Sequence, residues 1–171
     1  MNYILKRIFI GLLLSSCLIA KFAFAAQILG YVEKVVVDPG SFVIKAKLDT
    51  GAVSASLDAR HIQEFIRKGQ KWVRFEIPSD TGNVQLERRL VRYVRIKSRH
   101  GELKTGFKRR SIRRPVVHMR VTIGNQTKTI EVNLTNRNDF NYPFLLGRKP
   151  LILFGIAVNP ALTFVSTLKA S

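Results

Sequence analysis

Cysteine is almost missing from this chain of 171 residues, with Cys17 the only one. A single thiol excludes a disulfide framework and a cysteine-based zinc site. Histidine is nearly as scarce: His61, His100 and His118 lie far apart, with no His-Glu-x-x-His pattern. The ligand set of a zinc centre is therefore lacking. The phosphate loop that closes on Gly-Lys-Ser or Gly-Lys-Thr does not occur either, which removes the usual cradle for ATP. Neither a metal nor another cofactor is expected. Acidic side chains are the third shortage. Eleven Asp and Glu stand against 29 Lys and Arg, a formal net charge of +18 at pH 7. Such a surface favours acidic partners, whether anionic lipid, nucleic acid, an acidic peptide or an anionic wall polymer. The charge fixes the sign of the partner and nothing more.

What is present describes an ordinary folded chain. Hydrophobic residues make up 46% and charged residues 23%, a balance that builds a core rather than a disordered coil. The length suits one domain. Residues 1–25 have the pattern of an export signal: Lys6 and Arg7 precede an apolar stretch over 8–14, and Ala23-Phe24-Ala25 forms a small-x-small cleavage site. The mature domain would then be 26–171, and the protein periplasmic. Removing Lys6, Arg7 and Lys21 takes the charge from +18 to +15 (18 − 3), so the basic character belongs to the folded part. Leu14-Ser15-Ser16-Cys17 resembles a lipobox and leaves lipid anchoring at Cys17 as an alternative.

Along the mature chain, 28–37 reads as a first strand halted by Asp38-Pro39-Gly40, and 41–48 as the returning strand. A short strand is expected over 53–57. One or two helical turns follow over 58–66, with Asp58 as N-cap. Residues 72–77 alternate strictly and predict a strand. Two extended runs follow at 84–86 and 90–96. The stretch 98–114 is polar and basic, with Lys104, Lys108, Arg109, Arg110, Arg113 and Arg114, and reads as a mobile loop or hairpin arm. Strands over 116–123 and 129–134 flank a Gly124-Asn125 turn. A short helix at 149–154, with Pro150 in its first turn, precedes a last strand over 161–166. Many short strands separated by turns indicate a mainly β barrel or sandwich with one or two short helices.

Two Asp-Thr-Gly triplets stand in this frame. Asp80-Thr81-Gly82 lies between Pro78-Ser79 and Asn83 and reads as a solvated turn. Asp49-Thr50-Gly51 terminates an apolar strand, on a turn that Gly51 allows to bend tightly, with the small Ala52 next. About a hundred residues later comes a second apolar-apolar-Gly element, Leu145-Leu146-Gly147-Arg148. This pairing resembles the retroviral-type aspartic proteases. It is closer still to a bacterial and archaeal retropepsin-like family whose members are often labelled ATP-dependent zinc proteases and accompany ATP-grasp ligases. The resemblance also covers Trp72-Val73-Arg74-Phe75, Arg113-Arg114-Pro115-Val116-Val117 and the 130–137 segment, all in the family's order.

The resemblance implies a closed retropepsin-like barrel and an aspartic endopeptidase independent of metal and ATP. Asp49, Thr50 and Gly51 would be catalytic, Ala52 would leave room for the substrate strand, and Leu146, Gly147 and Arg148 would support the loop. Because aspartic proteolysis uses two carboxylates sharing a proton, a chain with one such Asp would act as a homodimer. Val53 stands where retroviral enzymes carry an acid, so Arg148 lacks that partner. Substrates would be proteins or peptides, acidic ones among them, with an anionic envelope surface as a second partner. Nucleic acid is disfavoured by export, which removes the usual ligand. The rival reading is a non-catalytic periplasmic binding or regulatory module of the same fold.

Overall fold

The computed structural model describes residues 26–38, 42–79, 82–97 and 111–167. The export-signal residues with Cys17, residues 98–110 of the basic stretch, and the Asp80-Thr81 half of the second triplet lie outside them. Ten strands and one helix follow in chain order: β1 (Gln27–Val37), β2 (Phe42–Leu48), β3 (Ala55–Asp58), β4 (Arg60–Arg67), β5 (Gln70–Ile77), β6 (Val84–Lys97), β7 (Ser111–Ile123), β8 (Gln126–Thr135), β9 (Phe144–Leu146), α1 (Arg148–Phe154) and β10 (Ile156–Thr163). The mainly β expectation holds, with a single short helix among the described residues.

Hydrogen-bonded neighbours run in the order β10-β1-β2-β9-β3-β8-β7-β6-β5-β4, and β1 also pairs with β7 through Val36↔Thr122 and Val37↔Val121. That extra contact closes β1-β2-β9-β3-β8-β7 into a ring. The arm β6-β5-β4 extends from one side and β10 lies on the other. Period-two burial explains the closure. Along β2, Ile44, Ala46 and Leu48 are buried while Val43, Lys45 and Lys47 face outward. The inward rows meet Leu57, Val117, Met119, Val132 and Phe144 in one core. Full burial of a Phe or Leu side chain contributes about 1.5–3 kcal/mol.

Three sequence expectations need correction. Residues 58–66 form no helical turn. The apolar spacing of Ile62, Phe65 and Ile66 suits a helix, but β4 pairs antiparallel with β5 (Phe65↔Trp72). Phe65 is covered there by the guanidinium groups of Arg67 and Arg74, at 5.1 and 5.4 Å from its ring centroid. Asp58 does not cap a helix, for its Oδ1 accepts the Arg137 N–H at 2.6 Å. The two runs at 84–86 and 90–96 are one strand, β6, with a register shift between Leu90 and Arg92. Finally, β7 begins at Ser111 rather than at 116, so the described residues 111–114 follow the hairpin-arm alternative and not the loop, with cross-strand pairing to β6 continuing out to Lys97↔Ser111. Smaller differences fall at two ends: β3 begins at Ala55 rather than at 53, and the last strand spans Ile156–Thr163 rather than 161–166. Pro160 is tolerated because β10 is an edge strand.

One buried acid ties the chain end to the barrel. Glu33, in the middle of β1, has no solvent exposure. Its Oε1 accepts the Gly30 and Val165 N–H groups at 2.7 and 3.1 Å, and its Oε2 accepts Ser166 N–H and Oγ–H at 3.0 and 2.8 Å. All four partners are donors, so an amide nitrogen cannot replace either oxygen. Glu33→Gln should cost about 1–3 kcal/mol of stability, the penalty for stranding buried donors. The check is thermal unfolding together with amide exchange, in which Val165 and Ser166 should lose protection first.

Candidate active site

Strand β9 is inserted between β2 and β3. It runs parallel to β2 (Lys47↔Leu145, Leu48↔Leu146) and antiparallel to β3 (Ser56↔Leu145). The connection from β2 to β3, residues 49–54, must therefore arch over the end of β9. Backbone hydrogen bonds hold that arch. Asp49 N–H donates to Leu146 O at 2.8 Å, Arg148 N–H to Ala52 O at 2.8 Å, and Lys149 N–H to Val53 O at 3.0 Å. Ala52 N–H donates to Asp49 O at 3.2 Å and closes the turn.

Gly147 makes this packing possible. A Cβ there would lie 2.7 Å from Ser54 O and 2.8 Å from Ser54 N and Val53 C, all backbone atoms that cannot swing aside. Gly147 also occupies the N-cap position of α1, whose first turn takes Pro150 and whose end is closed by Gly155 in the left-handed region (φ 65°). Leu146 is buried, while the Arg148 side chain is exposed and the residue serves the arch through its backbone. The residues singled out in the sequence, 49–52 and 146–148, thus sit together as two layers of one loop. Thr50 and Gly51 are exposed at its crest, and Ala52 is half-buried.

Asp49 aims its carboxylate out of this loop. Oδ1 accepts the Gly51 N–H at 3.0 Å, and Oδ2 lies 3.2 Å from Lys47 Nζ. Partial burial opposes ionisation. The Lys47 ammonium and the Gly51 and Ala52 amides outweigh it, and the carboxyl is held below the usual aspartate value. The loop forms part of a cleft of about 750 Å³. The long β6–β7 pair supplies one wall through Val94, Ile96 and Ile112, and the loop before β9 supplies another through Phe140 and Tyr142.

The charges around the cleft are lopsided. Lys47, Arg92, Arg114, Arg137 and Lys149 all line it, and among the described residues Asp49 is its one carboxylate. Arg92 is bonded to Glu131 at 2.6 and 2.9 Å. Arg137 is largely buried, stacks on Phe140 at 4.3 Å, and donates to Tyr142 O at 3.0 Å and Ser56 Oγ at 3.3 Å. Desolvation and the nearby Arg114 lower its proton affinity, with Asp58 and Asp49 acting the other way. Arg114 donates to Asn133 Oδ1 at 3.4 Å, and the Asn133 amide in turn donates to Ser54 Oγ and Ala55 O.

Sequence reasoning did not find this cationic rim. Arg114 and Arg137 stood in recognisable segments, but nothing in either stretch says that β7 and the loop after β8 face Asp49. Neither described histidine joins this site: His61 is exposed and bonded to Glu76, and His118 is exposed on β7, while His100 lies outside the described residues. Among the described residues no three His, Cys, Asp or Glu side chains are grouped so as to hold a metal.

Comparison with known proteins agrees with this geometry. Residues 28–169 match the family described as RimB-like, retropepsin-like aspartic endopeptidase RimB. Proteins named "Probable alpha-L-glutamate ligase" are also similar. The one from Shewanella pealeana is 34% identical over 112 residues, covering 63% of this chain and 23% of its own length. The one from Desulfotalea psychrophila is 32% identical over 127 residues, covering 70% and 25%. This chain thus spans about a quarter of the curated relatives it matches. A crystal structure of a protein of unknown function (DUF785) from Legionella pneumophila has 42% sequence identity and a TM-score of 0.69, over 82% of this chain and 98% of that one.

Proposed function

The chain belongs to the RimB-like family of retropepsin-like aspartic endopeptidases, and from that premise we propose that it hydrolyses peptide bonds as a homodimer, with one Asp49 from each copy. The observation that carries the reading is a single carboxylate at the crest of a doubly braced loop, opening on a cleft walled by two strands. Two Asp49 carboxyls brought together would share one proton, because like charges at such a distance do not both stay ionised. The ionised member takes a proton from the water between them as that oxygen attacks the peptide carbonyl carbon. The protonated member donates to the carbonyl oxygen. Collapse of the tetrahedral intermediate expels the amine, which takes the water-derived proton from the dyad. One hydroxyl of the intermediate returns its own proton to the other carboxylate, so the dyad ends with one shared proton. The pair titrates as a unit.

The substrate is an acidic peptide. Five cationic side chains around one aspartate favour carboxylate-bearing segments, and the glutamate ligase names of the relatives fit a glutamate-rich one. Residues 1–25 support export to a bacterial periplasm. The exposed apolar side chains Ile28 of β1, Leu162 of edge strand β10, and Phe164 and Val165 just beyond it supply a surface on which a second copy can seat. The test is the specific rate of peptide cleavage against protein concentration, with the oligomeric state measured in parallel. A rate per subunit that rises with the dimer fraction is expected.

A second reading has one observation in its favour, for Asp49 is already engaged by Lys47. A non-catalytic module that binds anionic partners in the same cleft would show acidic-peptide binding with no cleavage from acid to neutral pH.

A further inference from the structure

Lys47 and Asp49 are two residues apart at the end of β2 and lie on the same side of it. Lys47 is fixed by register, paired to Val32 of β1 on one side and Leu145 of β9 on the other. A lysine so anchored has only its side chain to move. Its Nζ lies 3.2 Å from Asp49 Oδ2, with 42% of the lysine side chain and 23% of the aspartate side chain exposed. Both line the cleft. The ammonium is therefore the cation nearest the proposed catalytic carboxylate, and it is open to whatever enters.

That position conflicts with the chemistry. A working dyad shares one proton between two carboxyls, whereas an ammonium in contact with each carboxylate favours the fully ionised pair. The other charged groups lining the cleft carry the same sign: Arg92 from β6, Arg114 from β7, Arg137 from the loop after β8, and Lys149 from α1. Arg92 is committed to Glu131 and Arg137 to Tyr142 and Ser56. Lys47 lies at contact distance from Asp49, and its half-exposed side chain can exchange that partner without unpacking the core.

We infer that Lys47 is the specificity-determining residue of this site: its ammonium holds Asp49 until a side-chain carboxylate of the substrate takes it over. The inference rests on the peptidase reading above and adds a reason for the site to distinguish acidic from neutral peptides. An acidic side chain in the adjoining subsite pairs with Lys47 and frees Asp49 to share its proton. A neutral isostere leaves Lys47 in place. Discrimination then falls on kcat as well as on KM, because the exchange prepares the chemical step.

The experiment compares wild type, Lys47→Met and Lys47→Arg on an oligoglutamate peptide and its all-glutamine counterpart. It also follows the titration of the Asp49 carboxyl carbon by NMR. Wild type should prefer the acidic peptide, with much of the preference in kcat. Lys47→Met should lose at least about tenfold of that preference, the scale of one charge-assisted hydrogen bond, with its Asp49 titration moved to higher pH. Lys47→Arg should keep both. An unchanged preference in Lys47→Met, or an unchanged Asp49 titration, overturns the inference. If wild type cleaves neither peptide, the peptidase reading fails and the NMR arm still decides the role of Lys47. Saturating oligoglutamate should raise the Asp49 titration while oligoglutamine leaves it fixed, and equal behaviour with the two peptides overturns the exchange.

Discussion

Asp49→Asn should reduce peptide cleavage by at least about a thousandfold, within the range set by loss of a positioned acid–base group, and leave the fold intact. Asparagine is isosteric with aspartate, and the side chain is partly open to solvent. Its amide oxygen can still accept the Gly51 N–H that Oδ1 accepts now, so the turn survives. What disappears is the ability to take a proton from water. The amide nitrogen then stands where Oδ2 was and cannot accept from the Lys47 ammonium, so that half-exposed lysine turns to solvent, which changes stability little at an exposed pair. Circular dichroism and the unfolding midpoint should therefore match wild type while turnover vanishes. A variant that retains a tenth of the activity would remove Asp49 from the chemistry.

Gly147→Ala should lower the cleavage rate roughly a hundredfold from a residue that touches no substrate. The added methyl would sit 2.7–2.8 Å from the backbone of Ser54 and Val53. The backbone of Gly147 is extended rather than left-handed, so the obstacle is space and not dihedral strain. Either the 49–54 arch lifts or α1 and β9 retreat, and overpacking of this kind costs about 1–3 kcal/mol. The functional loss should be larger in proportion. Asp49 N–H, Ala52 O and Val53 O are all hydrogen-bonded to residues 146–149, so the displacement passes straight to the carboxylate. A shift of about 1 Å in a reacting group costs roughly a hundredfold in rate. Wild-type activity with a wild-type unfolding midpoint would show that the two layers do not depend on close contact.

These two residues were legible in the sequence for different reasons. Asp49 sits in a motif whose chemistry is local, an acid at the end of an apolar strand, whereas Gly147, which meets the backbone of Val53 and Ser54, was marked by the family resemblance. The Gly124-Asn125 turn and the helix after Arg148 were legible as Asp49 was, from turn and cap residues acting on their neighbours. Features set by distant partners were not. Glu33 looks like an ordinary outward charge in β1, and only Val165 and Ser166, more than 130 residues on, explain its burial. Residues 58–66 carry apolar residues at helical spacing, yet β5 captures them as an edge hairpin in which arginines cover Phe65 in place of a core. The rim of Arg92, Arg114 and Arg137 depends on which strands close the ring. The basic composition gives only the sign of charge, and the fold brings five of the cationic side chains to the Asp49 cleft.

The central claim is that one site is built from two copies of Asp49, and subunit mixing tests it most directly. Wild-type protein at fixed concentration is refolded together with increasing amounts of Asp49→Asn, and cleavage is measured per wild-type subunit. A shared dyad predicts that activity falls as mixed dimers form. At a ninefold excess, roughly one wild-type subunit in ten retains a wild-type partner, and activity should drop to about that level. Activity that stays proportional to wild-type protein at every ratio would mean that each chain works alone, and would contradict the account.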